Sequence, residues 1–492
     1  MSEVTKVLIA NRGEIACRIL RTLDRMAIPG VVVYHSVDAD SPAVKTAAES
    51  VEIDGPTPVA AYLNVESIIA ACKETGSDAV HPGFGFLAEN PGFAQRLAEE
   101  GITFIGPQPS TIELMGNKVA ARSFCMDNCF SLVSSVTEAD AGEDFAECAR
   151  KIGVPILIKA AVGGGGKGMH IVRELDGLDQ AIQLAKGEAL RSFGNNEVYA
   201  ERYVEEPRHI EVQVMADHHG NVVHLGEREC SIQRRFQKII EESPAPNLTL
   251  ELRQRICNTA VEIARKANYL NAGTVEFILA PDGKFYFLEM NTRLQVEHPV
   301  TEMVTGLDLV ELQLRVARDE YLPLSQDEIK AKGHAIELRL YAEDPENDFL
   351  PATGTLLAYR LPAGKGVRIE NGFAEGMQVS SAFDPMLAKL IVHGRDRNQA
   401  IERALKALDD TLILGVTTNI DYLARILSHP AYTSGQIHTG FIPKYGEDLS
   451  PPPLSEEQRN LLLAAAALNS REFTDPAFQV PEPYASLGDW RN

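Results

Sequence analysis

The sequence predicts an α/β protein in three parts: an N-terminal doubly wound parallel sheet, a small flap domain, and a larger C-terminal domain of mixed and antiparallel sheet. Three observations carry this. A strand pattern at 6–10, a tight turn at Asn11-Arg12-Gly13 and a helix over 14–26 lead into a second strand at 31–33, which is a βαβ opening. Strand patterns at 156–159 and 169–172 are joined by a run of glycines instead of a helix. From about residue 204, strand patterns follow one another, first at 209–215 and 221–225.

In order along the chain, further short strands are expected at 51–53, 79–80 and 103–105, with helical stretches between them. Residues 1–115 therefore form the parallel sheet, 116–134 a linker, 135–203 the flap domain and 204–446 the C-terminal domain, which carries helices at 251–267 and 398–408. Ser450-Pro451-Pro452-Pro453 then interrupts the chain, and 447–492 holds one helical segment (456–468) and a Pro-rich tail. At 492 residues the chain is too long for one hydrophobic core.

Composition narrows the function. Lys and Arg number 47 against 69 Asp and Glu, a net charge of −22, which repels nucleic acid phosphates and anionic membrane surfaces while leaving room for one local basic pocket. Seven cysteines with no CxxC pair indicate neither a disulfide framework nor a thiolate zinc site, and Cys125 and Cys129, one helical turn apart, are expected to pack. No signal peptide pattern opens the chain, and the apolar run at 461–468 is far short of the ~20 residues that span a bilayer. A cytoplasmic, reducing location is expected.

The densest chemical signal lies at 274–291. Asp282-Gly283 between two strand patterns predicts a two-residue hairpin. With Pro281 and Lys284 flanking the turn, Glu276 falls directly opposite Glu289. Like charges so placed are destabilising by ~0.2–1 kcal/mol unless a hard cation sits between them. Mg²⁺ takes one or two carboxylates together with substrate phosphates, and Asn291 on the same face supplies another oxygen. Strict alternation then predicts that the strand continues with Glu289, Asn291, Arg293, Gln295 and Glu297 in one row, until His298-Pro299 ends it.

Gly163, Gly164, Gly165, Gly166, Lys167 and Gly168 match a dinucleotide fingerprint by letter, but a strand follows where that motif needs a helix. A Walker loop would need Ser or Thr after Lys167. What remains is a β-turn flap whose free N–H groups close over phosphates, with Lys159 as a point charge beside it. The mixed-charge run at 227–238, read alone, predicts a solvated face.

Taken together, these segments resemble the biotin carboxylase component of biotin-dependent carboxylases, an ATP-grasp family. The resemblance rests on IANRGEIACRI, HPGFGFLAEN, MGNKVAAR, ILIKAAVGGGGKGM, PRHIEVQV, ECSIQRRFQK, EESPAP, FLEMNTRLQVEHPVTEM, GHAIELRLYAEDP and FLPATGT, in order from residue 4 to about 446. It implies a Rossmann-like N-terminal domain, an ATP-grasp lid and ATP-dependent carboxylation of biotin by bicarbonate through carboxyphosphate. It implies that Lys118, Lys159 and the glycine flap hold ATP phosphates and that Glu201, His209 and Gln233 line the adenosine site. By the same resemblance Glu276, Glu289 and Asn291 hold Mg²⁺ or Mn²⁺. Lys238, Arg293, Gln295 and the Val296 backbone bind bicarbonate, Glu297 is the general base, and Arg339 stabilises the biotin enolate.

Three departures stand out: Phe236 where many members carry histidine, Phe84 where tyrosine is common, and 128–135 in place of a Gly/Pro linker. The segment 456–492 looks like the opening of the central domain of acyl-CoA carboxylase α-chains. No Met-Lys-Met biotinylation motif occurs, so either the chain was cut short or the biotin carrier is a separate polypeptide. The implied partners are that carrier, a carboxyltransferase and a second copy of the chain. Two other readings share part of this logic. An ATP-grasp carboxylate–amine ligase does not account for NTRLQVEHP, and a non-catalytic nucleotide-binding scaffold is supported only by Phe236 and Phe84.

Overall fold

The computed structural model of the protein describes residues 4–141, 144–161 and 169–469. The chain divides into a unit up to Leu449 and a second from Ser450. In the first, β1 (Val7–Ile9), β2 (Gly30–Tyr34), β3 (Glu49–Glu52), β4 (Ala79–His81) and β5 (Thr103–Phe104) form a sheet in the order β3-β2-β1-β4-β5. Every pair is parallel. Val7 and Ile9 pack with Ile15 and Ile19 of the helix Gly13–Arg25, while Leu8 packs with Val31, Val33 and Val80 on the other face. Burial on both faces turns a parallel strand into a run of apolar letters, and that makes so short a strand legible. Gly13, at φ +65°, makes the turn out of β1. The Asn11 amide donates at 2.8 Å to the carbonyls of both Pro82 and Phe84, tying this turn to the loop after β4.

Next come β6 (Ser135–Thr137), β7 (Ile156–Ala160), β8 (His170–Val172) and β9 (Val198–Arg202), an antiparallel sheet in the order β6-β9-β7-β8. β7 and β8 are paired neighbours, so the glycine run does connect two strands; Gly163, Gly164, Gly165, Gly166, Lys167 and Gly168 themselves lie outside the described residues.

The largest sheet contains β10 (Arg208–Ala216), β11 (Val222–Arg234), β12 (Gln237–Ser243), β13 (Asn271–Leu279), β14 (Phe285–Asn291), β15 (His334–Tyr341), β16 (Val367–Asn371) and β17 (Met386–Gly394). Its order is β14-β13-β10-β11-β12-β15-β17-β16, antiparallel throughout.

Four local expectations are corrected. The β13–β14 turn is not a two-residue loop: Ala280 N–H bonds Lys284 O at 2.8 Å and Gly283 sits at φ +81°, a three-residue turn ending in a left-handed glycine. That shifts the register by one residue, and a bulge at Leu288 shifts it back, so Phe277 pairs with Phe287 but Glu276 pairs with Glu289. The strand does not run to Glu297; it stops at Asn291, and His298-Pro299 begins the helix His298–Thr305, where a first-turn proline has no donor to lose. The charge run at 227–238 is no solvated face, for Glu227, Arg228, Glu229, Ser231 and Gln233 are all buried in β11. Cys125 is buried at the end of the helix Lys118–Asp127, but Cys129 lies beyond it at φ +60° and is exposed, so only the first packs.

The second unit contains the helix Glu456–Asn469, whose Leu461, Leu462 and Leu463 are exposed. Residues 470–492 lie outside the described residues. Among the described residues no helix is long and apolar enough to cross a membrane.

Candidate active site

The large sheet places charge opposite charge across its strands. Glu211 on β10 faces Glu276 on β13 and Arg228 on β11, and Glu276 faces Glu289 on β14. On β12, Lys238 lies opposite Gln233 and Glu241 opposite Glu337, and Arg339 on β15 lies opposite Lys389 on β17. A solvated sheet face would leave these groups free, but here burial forces most of them to pair, Glu337 being buried without a hydrogen-bond partner among the described residues for either carboxyl oxygen. Lys238 Nζ lies 2.5 Å from Glu211, 2.8 Å from Glu276 and 2.7 Å from Glu297. Arg339 contacts Glu241 at 2.5 Å and Glu297 at 3.0 Å. His209 Nε2 lies 2.8 Å from the second oxygen of Glu276. A continuous chain of contacts thus runs from His209 through Glu276, Lys238 and Glu297 to Arg339.

The two ends of this chain open into different cavities. His209 lines a cleft with Lys118, Lys159, Glu201, Gln233 and Glu289. Arg339 lines a second cavity with Arg12, Phe84, Arg293, Val296 and Phe383. In the cleft, Lys159 on β7 pairs with Glu201 on β9 at 2.5 Å, and Lys118, in the first turn of its helix, lies 3.5 Å from Glu289. Gln233 Nε2 lies 2.9 Å from His209 Nδ1. Phe236 also lines the cleft; with Arg235 it forms the two-residue turn between β11 and β12, both residues having positive φ (+66° and +48°).

Although the strand ends at Asn291, the next residues still converge. Arg293 donates to Gln295 Oε1 at 2.7 Å and to Asn291 Oδ1 at 3.0 Å. Gln295 and Asn291 donate in turn to Glu276 Oε1, at 3.0 and 2.8 Å. The loop curls back onto the sheet, so the row predicted from alternation is replaced by a cluster in which Asn291, Arg293 and Gln295 gather around Glu276. Glu276, Glu289 and Asn291 offer two carboxylates and an amide oxygen, a hard donor set that fits Mg²⁺.

The electrostatics follow from burial and neighbours. Burial pushes the Glu297 carboxyl up, but Lys238, Arg339 and Arg228 outweigh it and hold Glu297 well below the usual range. Glu276 is likewise held low, Lys238 and His209 overcoming its burial. Glu211 goes the other way, raised by burial and by the neighbouring charge of Glu297. Burial and Glu297 push Glu241 up to about 7, against the pull of Arg339. Three carboxylates hold the Lys238 ammonium well above its ordinary value despite burial.

Several participants lie within segments singled out in the sequence but are not among its candidate site residues. Glu89, in the loop that follows β4 of the parallel sheet, holds Arg293 Nε at 2.8 Å and accepts from the Thr292 N–H at 3.0 Å. Arg228, fully buried, holds Glu211 at 2.5 Å and donates to Gln213, Thr274 and Thr301. Glu241 and Glu337 are adjacent across β12 and β15. These contacts join segments far apart in sequence, and only the register of the folded sheet reveals them.

Comparison with known proteins identifies the family. Family descriptions match in three consecutive stretches: "Biotin carboxylase, N-terminal domain" at 3–112, "Carbamoyl-phosphate synthase L chain, ATP binding domain" at 118–325 and "Biotin carboxylase C-terminal domain" at 337–444. The mitochondrial methylcrotonoyl-CoA carboxylase subunit alpha of Dictyostelium discoideum is 46% identical over 99% of this chain, and this chain spans 70% of that protein. For the mouse subunit the identity is 47% over 95% of this chain, which spans 66% of it. A biotin carboxylase from a Nostoc species is 47% identical over 89% of this chain and 98% of its own length. The biotin carboxylase domain dimer of Hydrogenobacter thermophilus 2-oxoglutarate carboxylase, solved with MgADP, ADP and bicarbonate, superposes with a TM-score of 0.88 at 41% identity, covering 91% of this chain and 99% of that one. Campylobacter jejuni biotin carboxylase, in a complex with a β-γ-ATP ligand, gives 0.88 at 42% identity, with 90% and 99% covered. Three consecutive matches in the family's order, relatives near half identity and a shared fold over nine-tenths of its length place this chain in the biotin carboxylase family of ATP-dependent ligases.

Proposed function

We propose that this chain carboxylates biotin on a carrier, using ATP and bicarbonate, as the first half-reaction of an acyl-CoA-type carboxylase. The observation that carries the reading is the contact chain from His209 to Arg339, which links a cleft bearing Lys118 and Lys159 to a cavity bearing Arg339. Residues 1–115, 135–203 and 204–446 serve as the N-terminal, lid and catalytic parts, with 116–134 as linker. Lys118, Lys159 and the flap glycines hold phosphates, while Glu201, His209 and Gln233 line the adenosine site. Glu276, Glu289 and Asn291 hold Mg²⁺ or Mn²⁺, which when bound neutralises phosphate charge.

Bicarbonate sits against Lys238, Arg293, Gln295 and the Val296 N–H. Glu297 takes its proton; the freed oxygen bonds to the γ-phosphorus as the bond to ADP breaks, giving carboxyphosphate and ADP. The cations beside Glu297 keep it ionised in the resting site. When Lys238 and Arg339 turn to substrate anions, Glu297 becomes a stronger base. Arg339 then stands where negative charge develops on deprotonated biotin. Exclusion of water under the closed flap protects carboxyphosphate. The carrier, a carboxyltransferase and a second copy of the chain are the partners, and seven free thiols support a reducing, cytoplasmic setting.

ADP release by the purified chain, with bicarbonate and with or without free biotin, tests the reading. Bicarbonate-dependent turnover is expected, and Glu297→Ala should abolish it while ATP still binds. Turnover with an amine and a carboxylate instead would point to a carboxylate–amine ligase, and nucleotide binding without turnover to a scaffold.

A further inference from the structure

Two buried cations or donors outside the proposed catalytic set grip consecutive peptide groups of the bicarbonate loop. His298, with no exposed surface, has Nδ1 at 2.7 Å from the Gln295 carbonyl oxygen. A carbonyl only accepts, so Nδ1 carries the proton and donates. That carbonyl belongs to the same peptide plane as the Val296 N–H. One residue on, Lys389, also fully buried, donates from Nζ to the Val296 carbonyl at 2.6 Å and pairs with Glu14 at 3.0 Å. The Val296 carbonyl shares its plane with the Glu297 N–H, so this contact sets where Glu297 leaves the loop. Residues 292–297 belong to neither the strand nor the following helix. The backbone bond from the His298 N–H to the Gln295 carbonyl is long at 3.3 Å, and the two side chains make the shorter contacts to these peptides. Lys389 reaches them because it lies across from Arg339 in the β15–β17 register, on the face over which the loop folds.

We infer that His298 and Lys389 are positioning residues for the bicarbonate step: His298 aims the Val296 N–H at bicarbonate, and Lys389 holds the peptide that places Glu297. This rests on the function proposed above. The two residues act on different kinetic constants, because one fixes a binding donor and the other the base.

The test is steady-state ADP release, with free biotin present, as bicarbonate and ATP are varied separately. His298→Leu should raise the bicarbonate KM roughly tenfold or more with the ATP KM within about twofold, since small misplacements of oriented groups are costly. His298→Asn, whose amide N–H takes the place of Nδ1–H, should bring the bicarbonate KM back to within about threefold of the parent protein. Glu14→Gln combined with Lys389→Met removes both charges together, so neither is left buried alone, and should lower kcat by roughly tenfold or more at an unchanged ATP KM. Parent-like constants in the leucine and double variants overturn the inference. So do a parallel rise in the ATP KM, and a failure of His298→Asn to recover. If the parent chain itself shows no bicarbonate-dependent ADP release, the proposed function falls and this inference with it. If the parent turns over and the variants match it, only this inference falls.

Discussion

Lys238→Met is the most informative single perturbation of the site. Among the described residues Lys238 is the one cation that touches Glu211, Glu276 and Glu297 together, and those carboxylates are 0, 4 and 1% exposed against 13% for the lysine, so water cannot take its place. Removing one partner of a buried ion pair costs about 3–5 kcal/mol. Here Arg228 still holds Glu211 at 2.5 Å and Arg339 still reaches Glu297 at 3.0 Å, leaving Glu276 with His209 and the amide donors of Asn291 and Gln295. The loss should therefore fall near the lower end, about 3 kcal/mol. Its pH dependence has a definite sign. In the parent protein Glu276 and Glu297 are held below the unfolded carboxyl value, so they stabilise the fold above that value and cease to do so as pH falls through the folded one. In the variant their folded values rise, the fold must bury unpaired charge at neutral pH, and a proton relieves it in acid. Urea unfolding followed by circular dichroism at pH 5, 6, 7 and 8 measures this. The deficit should be largest at pH 8 and shrink towards pH 5. A deficit below about 1 kcal/mol at pH 8, or one equal at pH 5 and 8, would refute the electrostatic account of the site.

Two further outcomes concern stability. Glu242 is buried between His334 at 2.6 Å and Arg397 at 2.7 Å, which overcome burial and bring its carboxyl from 4.5 down to about 2. At about 1.4 kcal/mol per pH unit, Glu242→Gln should cost about 3 kcal/mol at pH 7 in urea unfolding, and the difference from the parent should vanish as pH falls from about 4.5 to 2. The Arg235-Phe236 turn puts two side chains in the left-handed region where Asn-Gly is favoured. The double change to Asn-Gly should raise stability by about 1 kcal/mol in urea unfolding and, because Phe236 lines the cleft, raise the ATP KM.

How much was legible depended on whether local letters or distant register decided the matter. Val7, Leu8 and Ile9 announced a parallel strand because both faces are covered. The opposition of Glu276 and Glu289 was found through a wrong turn: a three-residue loop shifts the register, and the Leu288 bulge restores it. Bulges carry no reliable letter pattern, so the agreement came from two compensating departures. The alternation from Glu289 to Glu297 predicts one row along a strand, whereas the strand ends at Asn291 and hydrogen bonds gather Asn291, Arg293 and Gln295 around Glu276 instead. The run at 227–238 failed because charge is read as solvated unless partners are known. The partners of Arg228 are Glu211, Gln213, Thr274 and Thr301, on three other segments. The Arg235-Phe236 turn escaped because its letters contradict its geometry.

The site of a protein that must bind anions is not a bare basic patch. Lys238 is held by three carboxylates, Arg339 by Glu241 and Glu297, Arg293 by Glu89, Lys159 by Glu201 and Lys118 by Glu289. On the proposed function, each incoming anion therefore competes with a carboxylate for its cation. Glu289 is the clearest case, because it is both Lys118's partner at 3.5 Å and a proposed metal ligand. Without divalent metal, it neutralises the lysine proposed to bind phosphate and would repel the phosphate itself. Glu289→Gln should then strengthen nucleotide binding. Since Lys118 and Glu289 are 26 and 36% exposed, the pair is worth about 0.5–1 kcal/mol, or about two- to fivefold in affinity. With Mg²⁺ present the same substitution removes a metal ligand and should weaken binding. Titration calorimetry with ADP, in EDTA and then in excess Mg²⁺, reads both arms. A change of sign between them is the expected result. Weaker binding in both conditions would mean that Glu289 does not restrain Lys118, and tighter binding in both would remove Glu289 from the metal set.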